Sequence, residues 1–239
     1  MTEIEGYVIT IEGHEPSESA YSRLVSSSSL SFGNTFTLRK FSAITPKDDV
    51  YAIMAKHTIG WNYPEMGQGS TLCYDTGLIK SPYQSKVLEK RIACFLSHYE
   101  LWCKCFDTQQ DMLIFEHDAI FTRKLNLDIL QLSHYDIIGL NDPRGATRRS
   151  EVYHNASKKY NGVGPAPTID AINVPQGIAG NSAYYINPQG AKRLIANVAE
   201  YGAWPNDAIM CRQLMSGKLG QLHPYVTTIQ QGIVSTTVL

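Results

Sequence analysis

Met112–Phe121 reads MLIFEHDAIF, and it follows a stretch from about Val87 to Phe106 in which Ile92, Phe95, Leu96, Tyr99, Trp102 and Phe106 recur at i, i+3, i+4 spacing. That spacing predicts one long helix with a broad apolar face. The apolar run after it, interrupted by Glu116-His117-Asp118, predicts a central strand buried on both faces, as in a sheet covered by helices. Tyr135–Leu140 (YDIIGL) repeats the strand pattern and leads into Asn141-Asp142-Pro143-Arg144-Gly145. Helix and strand patterns alternate, so the expected fold class is α/β, with a mostly parallel sheet flanked by helices.

Working outward, Gly6–Ile11 (GYVITI) reads as a first strand, and Ser17 to Leu30 as a helix after the turn-like Gly13 to Pro16. Ser26 to Ser29 weaken the end of that helix, because their hydroxyls compete for backbone partners. Thr35–Ile44 alternates enough for a second strand. Gly60 to Pro82, rich in Gly, Pro, Tyr and Asn, reads as a long functional loop. Arg144 to Pro175 is polar and carries Arg144, Arg148, Arg149, Lys158 and Lys159, and reads as an excursion over an active-site edge. Ile178 to Ile186 resumes regular structure, and Asn187-Pro188 opens a helix through about Val198, with proline where its missing N–H costs nothing. Trp204-Pro205-Asn206-Asp207 opens another helix to about Met215, and Tyr225 to Leu239 reads as an edge strand with a covering segment. The sequence holds no internal repeat, so one domain over residues 1–239 is expected.

The 239 residues carry 21 Lys plus Arg against 22 Asp plus Glu, a net charge of -1, with 43% hydrophobic residues. A chain of this size buries enough surface to need no disulfide or metal staple, and its composition excludes whole-chain disorder. Near-neutrality argues against a general nucleic-acid binder acting through phosphate neutralisation. Cys73, Cys94, Cys103, Cys105 and Cys211 show no zinc-site spacing and read as reduced thiols. Glu3 and Glu5 stand where a signal peptide has basic residues, and no apolar run reaches membrane-span length. A cytoplasmic location is expected, and peripheral membrane contact stays open.

Glu116-His117-Asp118 is the sharpest local feature. On a strand, positions 116 and 118 share a face, and two carboxylates at the end of a buried strand cost desolvation energy unless a cation or donors satisfy them. They could hold one divalent ion against a diphosphate at the sheet's ligand-binding edge. The alternative is that the strand ends a residue earlier and both are solvated, or pair with Arg123 or Lys124. Ser97 and His98 lie beside the helix's apolar stripe, where His98 is a nucleotide-facing insert or a satisfied structural histidine. Asp207 stands in a helix's first turn, where the dipole favours a carboxylate, and reads equally as cap or catalyst. His223 reaches a metal only if the chain folds back, and Cys103 and Cys105 are assigned to packing.

Taken in order, these pieces resemble glycosyltransferase family 25, which includes lipooligosaccharide galactosyltransferases and collagen β-galactosyltransferases. The resemblance rests on Ala93-Cys94-Phe95-Leu96-Ser97-His98-Tyr99-Glu100-Leu101-Trp102 followed by Leu113-Ile114-Phe115-Glu116-His117-Asp118-Ala119. It extends to Tyr7-Val8-Ile9-Thr10, Lys40-Phe41-Ser42-Ala43, Gly180 to Leu194, Pro205-Asn206-Asp207 and Gln231 to Ser235. Three positions depart from the family pattern. His117 replaces the usual Asp, Ala93 replaces Gly, and Glu12-Gly13-His14 replaces an arginine-rich stretch, leaving Arg23 as the nearest basic residue.

The resemblance implies a GT-A-like nucleotide-sugar-binding fold and an inverting transferase. Such an enzyme moves a hexose, galactose or glucose, from a UDP-sugar to a glycan or other hydroxyl acceptor in lipopolysaccharide biosynthesis. It implies Mn²⁺ or Mg²⁺ on Glu116, Asp118 and His223, and Asp207 as the catalytic base. The donor would be lined by Ile9, Thr10, Arg91, Ser97, His98, Glu116, His117, Asn141 and Asp142. Two rival readings are a catalytically inactive module that binds sugar or nucleotide, motivated by His117 and the altered loop, and an enzyme glycosylating DNA bases through the basic stretch Arg144 to Lys159.

Overall fold

Successive residues of Met112–Glu116 point to opposite sides of a seven-stranded sheet, and this alternation divides the interior in two. Met112 and Ile114 enter a cluster with Phe95, Trp102 and Tyr184, whereas Leu113 and Phe115 enter a second cluster with Val8, Leu24 and Leu130. The structure is a computed structural model that describes residues 4–31, 36–145 and 149–232. Thr35, Arg148 and the tail from Ile233 lie outside the described residues.

In chain order the elements are β1 (Ile4–Thr10), α1 (Glu15–Ser27), β2 (Phe36–Ser42), α2 (Val50–Lys56), β3 (Thr71–Cys73), β4 (Leu78–Lys80), α3 (Leu88–Thr108), β5 (Met112–Glu116) and β6 (Ala119–Phe121). They continue with α4 (Leu127–Gln131), β7 (Ile137–Gly139), α5 (Ser150–Ser157), β8 (Gly162–Pro165), β9 (Ala183–Ile186), α6 (Pro188–Tyr201), α7 (Asn206–Ile209), β10 (Leu219–His223) and β11 (Thr227–Ile229). The main sheet runs β2-β1-β5-β9-β7-β10-β8, while β3 with β4 and β6 with β11 form two small ribbons. Helices α2, α3, α6 and α7 supply one face's cluster, and α1 and α4 the other's. Among the described residues no helix is long and apolar enough to cross a membrane.

The α/β class stands, but the sheet is mixed rather than mostly parallel. The β1–β2, β1–β5 and β7–β10 pairings are parallel, and β5–β9, β7–β9 and β8–β10 are antiparallel. The reason lies in β9, whose run AYYI is buried at every position. A fully apolar run carries no alternation and reads the same in either direction, so its sequence does not encode its polarity in the sheet.

Local chemistry explains most element boundaries. Helix α1 gives way to a 3₁₀ turn at Ser28–Ser31, and the hydroxyls of Ser26, Ser27, Ser28 and Ser29 donate to carbonyls three or four residues back. Asn187 caps α6 by accepting from the Gly190 amide at 2.9 Å, with Pro188 at the first position. Four expectations need correction. The Gly60–Pro82 loop contains the β3–β4 hairpin, the Arg144–Pro175 excursion contains α5 and β8, and the helix expected to reach Met215 is one turn, α7. His223 lies on a strand, β10, which reads poorly from sequence because Gly220 and Gln221 interrupt its apolar pattern.

The short α7 is packed against the chain just before β9. A Cβ on Gly177 would lie 2.3 Å from the Asp207 carbonyl oxygen and 3.0 Å from that of Met210, both backbone atoms. Gly177→Ala is therefore expected to destabilise the protein by about 1–3 kcal/mol, as overpacking does. Gly69→Ala, where a Cβ meets nothing within 4 Å, should be close to neutral. Urea denaturation of both variants checks the contrast.

Candidate active site

Even-numbered residues of β5 face α3, so Glu116, the last residue of the strand, emerges on the helix side of the sheet edge. Its amide donates to the Ser182 carbonyl at 2.8 Å, and Ile9 on β1 is its neighbour on the other side. The chain then turns through His117 and Asp118 into β6. The turn is held from outside by Gln230, whose side-chain amide donates to the carbonyls of His117, Ala119 and Ala20. The Gln230 amide Oε1 accepts from Arg23 Nε at 2.6 Å. Arg23, the first basic residue after β1 in the sequence, is thus spent on positioning this turn.

His98 reaches Glu116 from α3 and is almost fully buried, at 1% exposure. Trp102 Nε1 donates to the Tyr184 hydroxyl at 2.8 Å, that hydroxyl lies 2.9 Å from His98 Nδ1, and His98 Nε2 lies 3.3 Å from Glu116 Oε1. An indole nitrogen only donates. The one arrangement that gives the Tyr184 proton a partner has Tyr184 donating to His98 Nδ1, and Nε2–H donating to Glu116. The tautomer is assigned from this network, and it makes His98 a structural donor that aims a carboxylate.

Asp118 shares the field of Glu116. Burial first, and the Glu116 charge second, push its carboxyl up to about 7, against a hydrogen bond from the Ser182 hydroxyl that lowers it. Asp207, on α7, is raised by burial, with the Arg91 guanidinium and the Tyr83 hydroxyl opposing the shift and Glu116 adding to it. Arg91 stacks on the Tyr83 ring at 4.6 Å. The Cys94 Sγ lies 3.8 Å from Asn206 Oδ1, and burial together with Glu116, Asp207 and Asp118 keeps its thiol protonated. Glu116, Asp118, Asp207, Arg91 and His98 therefore converge. His117 turns away: its ring donates to the Ile9 carbonyl, and burial lowers its pKa, so it is neutral.

Buried polar atoms without a protein partner concentrate here. Among the described residues they are Arg91 Nε, Asp118 Oδ1, Asp207 Oδ1, both amide atoms of Asn181 and, away from this cluster, Arg193 Nε. Asn181 immediately precedes Ser182, which pairs with the end of β5. The N-cap of α7 is Pro205, which has no polar side chain; the Asp207 carboxylate takes its own backbone amide and the Tyr83 hydroxyl, and its Oδ1 is left without a partner.

The remaining expected residues are engaged in other contacts. Thr10 is fully buried with its hydroxyl on the Val8 carbonyl. Ser97 ties α3 to the segment after β2, accepting from the Ile44 amide at 2.9 Å and donating to Ala93. Asn141 accepts from Thr227 Oγ1 at 3.1 Å. Asp142 takes a bidentate bond from Arg144, which lowers its pKa despite burial. His223 ends β10, three strands from β5 and so roughly 14 Å across the sheet. Its Nδ1 meets the Tyr160 carbonyl at 3.1 Å, and its ring lies beside His154 and Tyr225. It does not join Glu116 and Asp118. Among the described residues the one group of three potential metal ligands within 4.8 Å of one another is Cys94, His98 and Glu116. With His98 Nε2 carrying a proton and the thiol held neutral, that trio is not a preformed metal cage.

The sequence profile of glycosyltransferase family 25 (LPS biosynthesis protein) matches residues 33–210. The chain belongs to glycosyltransferase family 25. No curated protein is found to match it. The matched span of this family 25 glycosyltransferase contains α3, β5, Asn181, Ser182 and Asp207, whereas β1, Gln230 and His223 lie outside it. Asn181, Ser182, Tyr83 and Gln230 were not among the expected site residues. The signal for the first two was a polar pair directly before an apolar run, the mirror image of Glu116-His117-Asp118 after one.

The Asp118 shift has a thermodynamic sign. Folded protein keeps the proton up to about pH 7, while an ordinary aspartate releases it near 3.8. Between those values the folded state binds more protons, so stability falls as pH rises. In the presence of EDTA, Asp118→Asn is expected to raise the melting temperature by a few degrees at pH 8. The gain should vanish near pH 4, which a pH series of thermal melts checks.

Proposed function

We propose that this glycosyltransferase moves a hexose, galactose or glucose, from a UDP-sugar to a hydroxyl of a glycan acceptor with inversion, in a GT-A-like fold. The observation that carries the reading is the set of unpartnered buried acceptors on Asp118 and Asp207, beside Glu116 and Arg91 at one sheet edge. Two carboxylates whose mutual repulsion raises one pKa, with a buried oxygen lacking a donor, suit a hard divalent cation. Glu116 and Asp118 would hold Mn²⁺ or Mg²⁺, which when bound neutralises charge on the departing diphosphate. His98 keeps Glu116 aimed at that position, and Gln230 keeps the Asp118 turn closed.

Asp207 is the base. Its carboxylate takes the proton of the acceptor hydroxyl as that oxygen forms its bond to the anomeric carbon. The bond from that carbon to the diphosphate oxygen breaks, and its electron pair leaves with the nucleotide. Burial raises the basicity of Asp207 towards what a general base needs, and the Arg91 charge opposes that shift. Asn141 and Asp142, at the same sheet edge two strands over, border the donor side. His117, the departure within the carboxylate motif, is engaged by Ile9, so both neighbouring carboxylates stay available; this favours an active enzyme over an inactive binding module. Arg144 and Arg149 are paired with Asp142 and Asp170, which argues against a DNA-binding strip.

A panel of UDP-sugars tests the proposal. Hydrolysis or transfer should require Mn²⁺ or Mg²⁺ and stop with EDTA. Asp118→Asn and Asp207→Asn should each lose at least about 100-fold in rate, the range for a general base, with Asp207→Asn still binding UDP by calorimetry. Metal-independent turnover in Asp118→Asn would refute the assignment.

A further inference from the structure

A cavity of about 100 Å³ that opens to solvent shares Tyr83 and Arg91 with the surroundings of Asp207. Its walls include the rings of Trp61, Tyr63 and Tyr83, its floor includes Arg91 and Pro205, and its rim carries Glu65, Met66 and Lys86. The segment that brings Trp61 here is fixed to the approach to α7. The Ala203 amide donates to the Gly60 carbonyl at 2.7 Å, the Asn62 amide to Ala203 at 2.9 Å, and the Asn62 side chain to Tyr201 at 2.8 Å. Lys80 Nζ, itself buried, holds the Asn62 carbonyl at 2.8 Å. Trp61 is set by its own Nε1 on the Tyr63 carbonyl at 3.1 Å and by an edge contact with Phe95. The aromatic wall is thus preformed, and the same strip of chain that floors the cavity continues two residues later into Asp207.

Three lining groups also belong to the environment of Asp207. Tyr83 bonds to it, Arg91 opposes its pKa shift, and the buried Tyr63 hydroxyl is raised by burial and by the charge of Asp207. We infer that this cavity is the acceptor subsite and takes one neutral pyranose ring, whose C–H face packs on the aromatic wall while a hydroxyl reaches Asp207. The inference rests on the glycosyl-transfer reading and names the acceptor end of that site. Aromatic faces are electron-rich and attract the polarised C–H groups of a sugar. Arg91 and Lys86 are offset by Glu65 and Asp207, so the cavity carries no net field to select a charged ligand, while offering both donors and acceptors to hydroxyls. A few convergent polar groups in an otherwise apolar wall are what orients a small ligand.

The experiment uses the methyl β-pyranosides of glucose, galactose, mannose and N-acetylglucosamine at millimolar concentration. Saturation-transfer NMR on the whole chain, irradiating aromatic protons, reads binding without catalysis, and transfer kinetics read it with catalysis. At least one glycoside should receive saturation, and UDP should not displace it. Trp61→Ala should abolish the signal and raise the acceptor KM at least tenfold with kcat changed less than threefold, and Trp61→Phe should restore it. Should Trp61→Ala fail to fold, Met66→Ala at the exposed rim should raise the same KM about threefold. Unchanged binding in a folded Trp61→Ala, displacement by UDP, or no signal from any glycoside while the wild type hydrolyses UDP-sugar each overturn the inference. Glycoside binding that depends on Trp61, in a protein that turns over no UDP-sugar, keeps the subsite and removes the catalytic reading instead.

Discussion

The hydrogen-bond chain from Trp102 through Tyr184 and His98 to Glu116 crosses the interior of the larger core cluster and joins three elements, α3, β9 and β5. Each member is polar, and Trp102, Tyr184 and His98 are inaccessible or nearly so. In such surroundings an unpaired donor or acceptor costs about 1–3 kcal/mol, so the chain tolerates one tautomer and one helix orientation. The rotation of α3 about its axis is set at His98, and the same helix carries Cys94 and Arg91 to the site one and two turns earlier. What looks from sequence like an amphipathic helix with a stray histidine is a helix indexed by that histidine.

The distribution of charge follows a similar logic. Exposed pairs such as Lys40–Glu18 and Arg149–Asp170 neutralise the surface and add little stability. At the sheet edge, among the groups that shift Asp118 and Asp207, Arg91 is the one cation. A chain of net charge -1 thus keeps a local excess of negative potential where a cation and a hydroxyl proton would be handled. Arg144, expected to face an anionic donor, is committed to Asp142 at 2.6 Å.

Much of the fold was legible because its signals are local. The stripe from Ile92 to Trp102 and the run Met112–Phe115 are buried as their periodicity requires, although Phe106, read as the last member of the stripe, is 37% exposed. Serine competition at the end of α1 and the Asn187-Pro188 start of α6 act within a few residues and could be read directly. The polarity of β9 could not, since an all-apolar run has no direction. Nor could the fates of Ser97 and Asn141, whose partners Ile44 and Thr227 are 53 and 86 residues away. Glu116 and Asp118 could be singled out because carboxylates beside apolar runs are expensive, and Asp207 because it stands in a helix's first turn. Asn181, Ser182 and Gln230 were not, because amides and hydroxyls draw no such attention until a fold brings them against a carboxylate.

The unpartnered atoms of Arg91, Asp118, Asn181 and Asp207 also bear on how long the protein survives. Their desolvation is already incurred in the folded chain, and under the proposed function the bonds that would offset it come from ligands that bind only that state. Ligands of this kind shift the folding equilibrium in proportion to the logarithm of their concentration. On that reading the fraction of chains exposed to proteolysis would rise when those ligands are scarce and fall when they are plentiful, so the abundance of the transferase would track the supply of what it consumes.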